Sequence, residues 1–481
     1  MMKKSKPVTL VAFLIVSFFS AGTVSQENHY WTNQFGARSA LMSGAVVGGV
    51  RDTSAGFYNP GALGFLNSAT FSVTGNAYQL ELIEISNGVG TGENVDSTET
   101  NIIPALISGT VTWRNNTFGY SLLAKGKSSI KLSGRHDAKA SNILDSNSDF
   151  GLDVFDGMEE YRGQFTYDSD VSEMWGGLSW ANRLHDNVSM GVSAFFALRD
   201  QSFSKTMFAR VTNPGSKYIA SQDFFTNADY INVRGLLKFG IAAEFDALKL
   251  GATITTPSVS LFGDGTVAGG FGLFREDNAS GILADDHQED LDAEYKTPFS
   301  LALGVDYAIT PKTRVAGSIE WFAKQSSYNI MTPNSKDFLV GVSGGEGPNS
   351  RDVLKIEDEA DSVMNFAIAV EHAFTDKIKG YLGFRTDYST FSSDSEGQPI
   401  SINSWDIYHL TFGFARKGET SELAVGLNYS FGSGDDFDRL GMINPADRKG
   451  DDYILALGDE GKASADYKAI GLVIGYTYFF K

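Results

Sequence analysis

From Thr70 to the end of the chain, apolar and polar side chains alternate with a period of two. Phe299, Leu301, Leu303, Val305 and Tyr307 fall on one face, with Ser300, Ala302, Gly304 and Asp306 on the other. After Ile309-Thr310-Pro311-Lys312 the pattern resumes, with Val315, Gly317, Ile319 and Trp321 set against Arg314, Ala316, Ser318 and Glu320. Leu423, Val425, Leu427, Tyr429 and Phe431 oppose Ala424, Gly426, Asn428 and Ser430 in the same way. This periodicity belongs to strands with one apolar face. It predicts fourteen strands, from 70–82, 102–114 and 117–130 to 420–433 and 466–480.

The connections alternate as well. Short turns are predicted at Asn115-Asn116, 184–187, 246–247, 309–312, 374–377 and 416–419. Between them lie the connections 83–101, 131–159, 212–216, 262–294, 326–360, 391–402 and 434–465, all long and Gly/Ser/Asp-rich except the brief third. An outer-membrane barrel has an even number of antiparallel strands, short periplasmic turns and long external loops. Closure satisfies every ladder hydrogen bond, as hydrocarbon demands. Trp113, Trp180, Trp321, Trp405, Tyr429, Tyr476 and Tyr478 lie near segment ends and suit aromatic girdles. The predicted fold is therefore all-β, a 14-stranded antiparallel transmembrane β-barrel. A soluble sandwich or propeller is the rival, but no blade-length repeat is visible.

Composition agrees. The 481 residues include 52 Gly, 11 Pro, no Cys and 12% aromatics. A formal charge of -19 gives nucleic acid no basic face to bind. Lys3, Lys4 and Lys6, the apolar run Val8 to Phe19, and small residues Thr23 and Ser25 resemble a secretory signal cut before Gln26. The expected organisation is a signal peptide over 1–25, an N-terminal hatch over 26–68 and a barrel over 69–481. The expected location is the bacterial outer membrane.

The stretch GVRDTSAGFYNPGALGFL, Gly49 to Leu66, suits neither helix nor strand, yet it is apolar. A barrel of this size has a lumen too wide for wall side chains to fill. Residues 27–68 precede the first strand and are predicted to fold back as a plug. Leu41, Met42, Val46, Val47, Leu63 and Phe65 supply its apolar bulk. Gly44, Phe57, Tyr58, Asn59, Pro60 and Gly61 are the candidate gating residues, with Asn59-Pro60-Gly61 forming a turn.

Two blocks of this region carry a resemblance. Gly36-Ala37-Arg38-Ser39-Ala40-Leu41-Met42-Ser43-Gly44-Ala45 and Asp52-Thr53-Ser54-Ala55-Gly56-Phe57-Tyr58-Asn59-Pro60-Gly61-Ala62-Leu63 resemble the hatch of the FadL/TodX-type transporters of long-chain fatty acids and hydrocarbons. Gly61 stands where that family's hatch has an alanine. Tyr295 to Val305, continuing through Trp321, is similar to the same family. The resemblance implies passive uptake of hydrophobic molecules through an apolar passage and a lateral opening. The related secretion-system barrels share the architecture and remain an alternative, as does a general diffusion porin. Gly475-Tyr476-Thr477-Tyr478-Phe479-Phe480 resembles the C-terminal signal read by the barrel-assembly machinery, although Lys481 follows it and Val473 replaces a polar residue.

An amphipathic carboxylate needs an apolar tunnel and a fixed cation. Lumen-facing bases on this register are Arg199, Arg234, Lys238, Arg314, Lys379 and Arg385, and the acids are Asp306, Glu320, Glu371 and Asp387. Two readings stand: these residues brace the wall, or one or two of the bases hold a ligand. Phe262, Phe271, Leu273 and Phe274 form a candidate external capture loop. Asp435, Asp436 and Asp438 lack metal-site spacing. The scattered histidines and the absence of a nucleophile elbow argue against an enzyme, and no cofactor or metal is expected. Expected partners are a long-chain fatty acid or another hydrophobic ligand, outer-membrane lipid and lipopolysaccharide, and the assembly machinery.

Overall fold

The computed structural model describes residues 29–66, 68–140, 143, 157–215, 217–275, 282–340, 348–391, 404–447, 455 and 461–480. The expected signal peptide lies outside the described residues. Fourteen strands close a barrel: β1 (Thr70–Ser86), β2 (Val95–Trp113), β3 (Asn116–Ala140), β4 (Glu159–His185), β5 (Val188–Asn213), β6 (Tyr218–Phe245), β7 (Leu248–Thr255), β10 (Ser300–Thr310), β11 (Thr313–Phe322), β15 (Val363–Ala373), β16 (Ile378–Asp387), β17 (Ile407–Lys417), β18 (Ser421–Asp438) and β19 (Lys462–Phe479). The first and last strands pair antiparallel from Thr70↔Phe479 to Ser86↔Ser464, which removes the edge.

Five further strands build on the external end. β8 (Val259–Arg275) and β9 (Ile282–Asp292) form a hairpin that prolongs the sheet beside β6, and β13 (Leu339–Val340) adds to β9. β12 (Gln325–Met331) and β14 (Ile356–Ala360) pair as a separate ribbon. Residues 262–294, expected as a loop, are thus mostly sheet. The expected loop 83–101 is largely β1 and β2, and β3 runs on to Ala140. The alternation simply continues past the membrane, where polar side chains take the outward positions.

Within the membrane band the alternation is inverted relative to a soluble sheet. On β15, Met364, Phe366, Ile368 and Val370 are exposed, while Asn365, Ala367, Ala369 and Glu371 are buried in the lumen. Lipid covers the outward row, so only the inward row needs polar partners. Trp113, Trp321 and Tyr476 point outward as expected of a girdle. Trp405 does not: it is 2% exposed and packs inside, edge-on to Phe437 and tilted against Tyr467. Its strand begins only at Ile407, so strand register does not govern it.

Residues 29–66 sit inside the barrel. They form α1 (Ala37–Leu41), α2 (Ala55–Tyr58) and a 3-10 turn Pro60–Phe65. Leu41, Met42, Val46, Val47, Tyr58 and Leu63 are all buried. The Asn59 side chain donates to the carbonyls of Val47 and Ile241, both at 3.0 Å, and its oxygen accepts from the Gly61 amide. Asn59 therefore ties the hatch to itself and to β6. Glycines let backbone meet backbone at two places. A Cβ on Gly304 would lie 2.4 Å from the Gly48 nitrogen, and one on Gly191 would lie 2.5 Å from the Pro60 carbonyl oxygen. Small wall residues thus seat the plug at these two places.

Replacing Gly304 by Val should displace the hatch while leaving the barrel folded. Planar-bilayer conductance is expected to rise severalfold, with retained heat-modifiable migration. Gly317→Ala, whose added carbon would lie 3.7 Å from its nearest neighbour, should change neither.

Candidate functional site

Above the hatch lies a narrow cavity of about 70 Å³. Its floor comes from the hatch, with Trp31, Val47, Phe57 and Tyr58; its walls include Trp175, Phe322 and Pro298. Phe57 is the centre of an aromatic group. Its ring lies 4.8 Å from Phe35, 6.0 Å from Trp175 and 6.4 Å from Phe195, in edge-on geometries that suit aromatic quadrupoles. The Tyr58 hydroxyl donates to Gln34 and accepts from the Phe35 amide. Burial pushes this phenol well above its ordinary pKa, so it remains a neutral donor.

All four predicted lumen acids hold the hatch. Arg38 of α1 donates to Glu371 at 2.6 Å and to Asp306 at 3.3 Å. Burial works against its charge, but Glu371 and Asp306 outweigh burial and raise its pKa. Trp31 donates its indole N–H to Glu320 at 2.8 Å. Asp387 accepts from the Trp31 amide and the Thr32 hydroxyl, each at 2.9 Å. His29 meets the Trp405 carbonyl at 3.0 Å and is kept neutral mainly by burial.

The predicted bases divide into three roles. Arg314 pairs with Asp306 at 2.7 Å and Lys379 with Glu371 at 2.8 Å, completing the Arg38 cluster. Arg385 donates to the hatch carbonyls of Trp31 and Thr32 at 3.0 and 2.7 Å. These three are anchors beneath or beside the cavity. Arg199 and Arg234 both pair with Glu173, at 3.0 and 2.5 Å, and both lie against the Tyr295 ring, at 4.0 and 4.8 Å. Together they form the ceiling. Arg234 still has one buried nitrogen, Nη1, without a partner.

Lys238 stands apart. It is 6% exposed and lines the cavity, and among the described residues it has no ion pair or hydrogen bond. Its ammonium lies 4.6 Å from the centre of the Phe57 ring. This is a buried ammonium set against an aromatic face, with the Glu320 carboxylate of the same cavity acting on it through space.

At the height of the cavity the wall is incompletely laced. The β2–β3 ladder runs from Trp113↔Asn116 to Leu106↔Leu123 and stops there. Among the described residues, β2 pairs beyond that point only with β1, and β3 only with β4. β3 carries a bulge between Ala124 and Gly126, so Lys125 is an extra residue. β2 has Pro104 here, which cannot donate to a ladder. On the inner side, Lys125 Nζ donates to the Tyr30 carbonyl at 2.7 Å, and Asn33 donates to the Lys125 carbonyl at 3.4 Å. The strands are tied again where the Lys131 amide donates to Ser97 Oγ at 3.2 Å.

The candidate capture residues do not form one surface. Phe271 is 2% exposed and points into the external core, whereas Phe262 and Phe274 point outward from β8 and Leu273 is half-buried. A strand sends neighbouring residues to opposite faces, and here the supposed loop is a strand. Asp435, Asp436 and Asp438 are exposed on β18 rather than in a loop. The described residues hold no group of three or more His, Cys, Asp or Glu suited to a metal. Lys125, Glu173, Tyr295 and Trp31 escaped the sequence reading. A bulge breaks period two, and Tyr295 and Trp31 lie outside any strand, so alternation carries no signal for three of the four.

Geometry therefore defines a closed, 14-stranded outer-membrane β-barrel with its own amino-terminal segment inside. Its fold is that of the FadL-type transporters. Among solved structures it is similar to a FadL homologue of Pseudomonas aeruginosa, with TM-score 0.57, 13% identity and coverage of 94% of this chain and 100% of that one. The toluene transporter TodX of Pseudomonas putida gives TM-score 0.56 at 13% identity, covering 94% and 99% of the two chains. The monoaromatic hydrocarbon channel CymD gives 0.55 at 11%, covering 93% and 98%. No family model and no curated protein matches the chain.

Replacing Arg38 by Met leaves Asp306 and Glu371 each with one wall cation, so the barrel should still assemble. Loss of the buried hatch pair should destabilise hatch seating by about 3 kcal/mol. Protease cleavage within 29–66 and ion leak are both expected to increase.

Proposed function

We propose that the protein is a passive outer-membrane transporter of hydrophobic small molecules, and that its cargo is an amphiphile with a carboxylate, most simply a long-chain fatty acid. Lys238 carries this reading. Four cations (Lys125, Arg199, Arg234 and Lys238) and two acids (Glu173 and Glu320) line the cavity. Only Lys238 among the four cations lacks a polar partner among the described residues. A neutral hydrocarbon leaves such an ammonium unsatisfied, whereas a carboxylate satisfies it through a charge-assisted hydrogen bond. Trp175, Phe57 and Phe322 would then line the chain of the ligand.

The unlaced stretch between β2 and β3 supports a lateral opening that joins this cavity to the membrane. The hatch supports gating: it fills the bore and is bound to the wall by ion pairs, which can break and re-form. None of these features involves catalytic chemistry, and no enzymatic role is proposed. In a protein-secretion barrel, by contrast, the buried ammonium would have no evident use.

Lys238→Met preserves length and removes the charge. It should weaken oleate binding about tenfold or more, the effect of losing a hydrogen bond to a charged group. Binding of oleyl alcohol should be unchanged. Equal losses for both ligands, or none for oleate, would count against a carboxylate site. Failure of the unmodified protein to take up labelled oleate would remove the transport reading itself.

A further inference from the structure

Buried polar atoms are normally paired, and residues lining the cavity above the hatch depart from this at two heights. Arg234 and Lys238 both face inward from β6, four residues apart. The usual strand rise puts about 13 Å between their Cα atoms. At the lower height, the Lys238 ammonium has the Phe57 ring 4.6 Å away and Glu320 acting through space. Thr255 of β7 is its register partner, which sets the two Cβ atoms about 5 Å apart. Thr255 also lines the cavity, is 4% exposed, and has no hydrogen-bond partner for its Oγ1.

At the upper height, Arg234 is 1% exposed. Its Nε donates to Thr297 Oγ1 at 2.8 Å and its Nη2 to Glu173 at 2.5 Å, while Nη1 has no partner. The other lining cations are engaged. Arg199 donates to Glu173, Gln201 and the Tyr230 hydroxyl, and Lys125 donates to the Tyr30 carbonyl. Glu173 is one carboxylate shared by two guanidiniums, so this layer carries one cation more than its lining acids balance. A further acid, Asp358, acts on Arg199 only through space, from the β12–β14 ribbon, where it accepts from Tyr328. Leaving a buried charged donor unpaired costs more than leaving a neutral one. His29 lines the cavity too, with Nδ1 unpartnered, but its neutral imidazole adds no charge.

A monocarboxylate held at Lys238 and Thr255 would turn its methyl end toward Arg234 and leave Nη1 unpaired. A slender molecule with a carboxylate at each end satisfies both heights. We propose that the cargo is an α,ω-dicarboxylate. One carboxylate accepts from the Lys238 ammonium and the Thr255 hydroxyl. The other accepts from Arg234 Nη1, and the chain between them lies against Phe57, Trp175 and Phe322. This rests on the carboxylate reading above and narrows it, because the far end of the ligand is polar instead of a methyl group. It also brings two negative charges to a cavity in which Lys238 and the Arg199–Arg234 pair each leave one cation without a direct counterion.

Decanoate and decanedioate share a chain length and differ only at the far end. In calorimetric titration of the whole protein in a neutral detergent, decanedioate should bind at least about tenfold more tightly, the effect of one hydrogen bond to a charged group. Arg234→Lys keeps the charge beside Glu173 and removes Nη1. It should abolish that preference and leave decanoate binding unchanged, whereas Thr255→Val should weaken both acids alike. A preference of less than about tenfold, or one that survives in a folded Arg234→Lys barrel, would overturn the inference and leave a monocarboxylate site at Lys238. The first of these outcomes needs no variant. Failure of both acids and of oleate to bind the unmodified barrel would overturn the Lys238 site as well.

Discussion

Every peptide N–H and C=O in a hydrocarbon layer needs a partner from the chain itself. A sheet meets that demand only by closing, and here β1 meets β19 along their full lengths. Closure settles most of the rest. The apolar row must face lipid, so polar, charged and small residues are sent inward, into a bore too wide for them to fill. That bore needs an occupant whose surface suits a wall of glycines, serines and charges. The segment 29–66 is that occupant.

The charge distribution follows from the same inversion. In a soluble protein, Asp306, Glu320, Glu371 and Asp387 would be surface residues of little energetic weight. Buried in the lumen they must be paired, and the hatch supplies Arg38, Trp31 and Thr32 as partners. The hatch is therefore held by polar contacts at the wall and glycine-to-backbone contacts between them. Apolar packing fills what remains. Ion pairs can exchange partners without opening a hydrophobic core, which suits the proposed movement of the plug.

Two departures from regularity underlie the proposed function. Lys238 breaks the rule that lumen charges are paired, and it does so inside an aromatic cavity. The β2–β3 seam breaks the rule that membrane strands are laced, and it does so beside the same cavity. Unsatisfied backbone next to hydrocarbon is costly. Asn33 and Ser97 offset part of that cost with their own hydrogen bonds. On the proposed route, one irregularity would hold the cargo and the other would let it cross the wall.

Period-two alternation and the order of short and long connections determined the strand number and the direction of each side chain within the membrane. Each of these follows from local geometry. Arg199, Arg234, Lys238, Arg314, Lys379 and Arg385 were accordingly placed in the lumen from the sequence. Which of them anchors the hatch, which braces a neighbour and which stays open to a ligand depends on tertiary contacts, such as that of Arg385 with Trp31. Only the tertiary structure decided that. It alone also set the bulge at Lys125, the inward turn of Trp405 and the external sheet over 259–292, because ladder pairing between distant segments has no local signature.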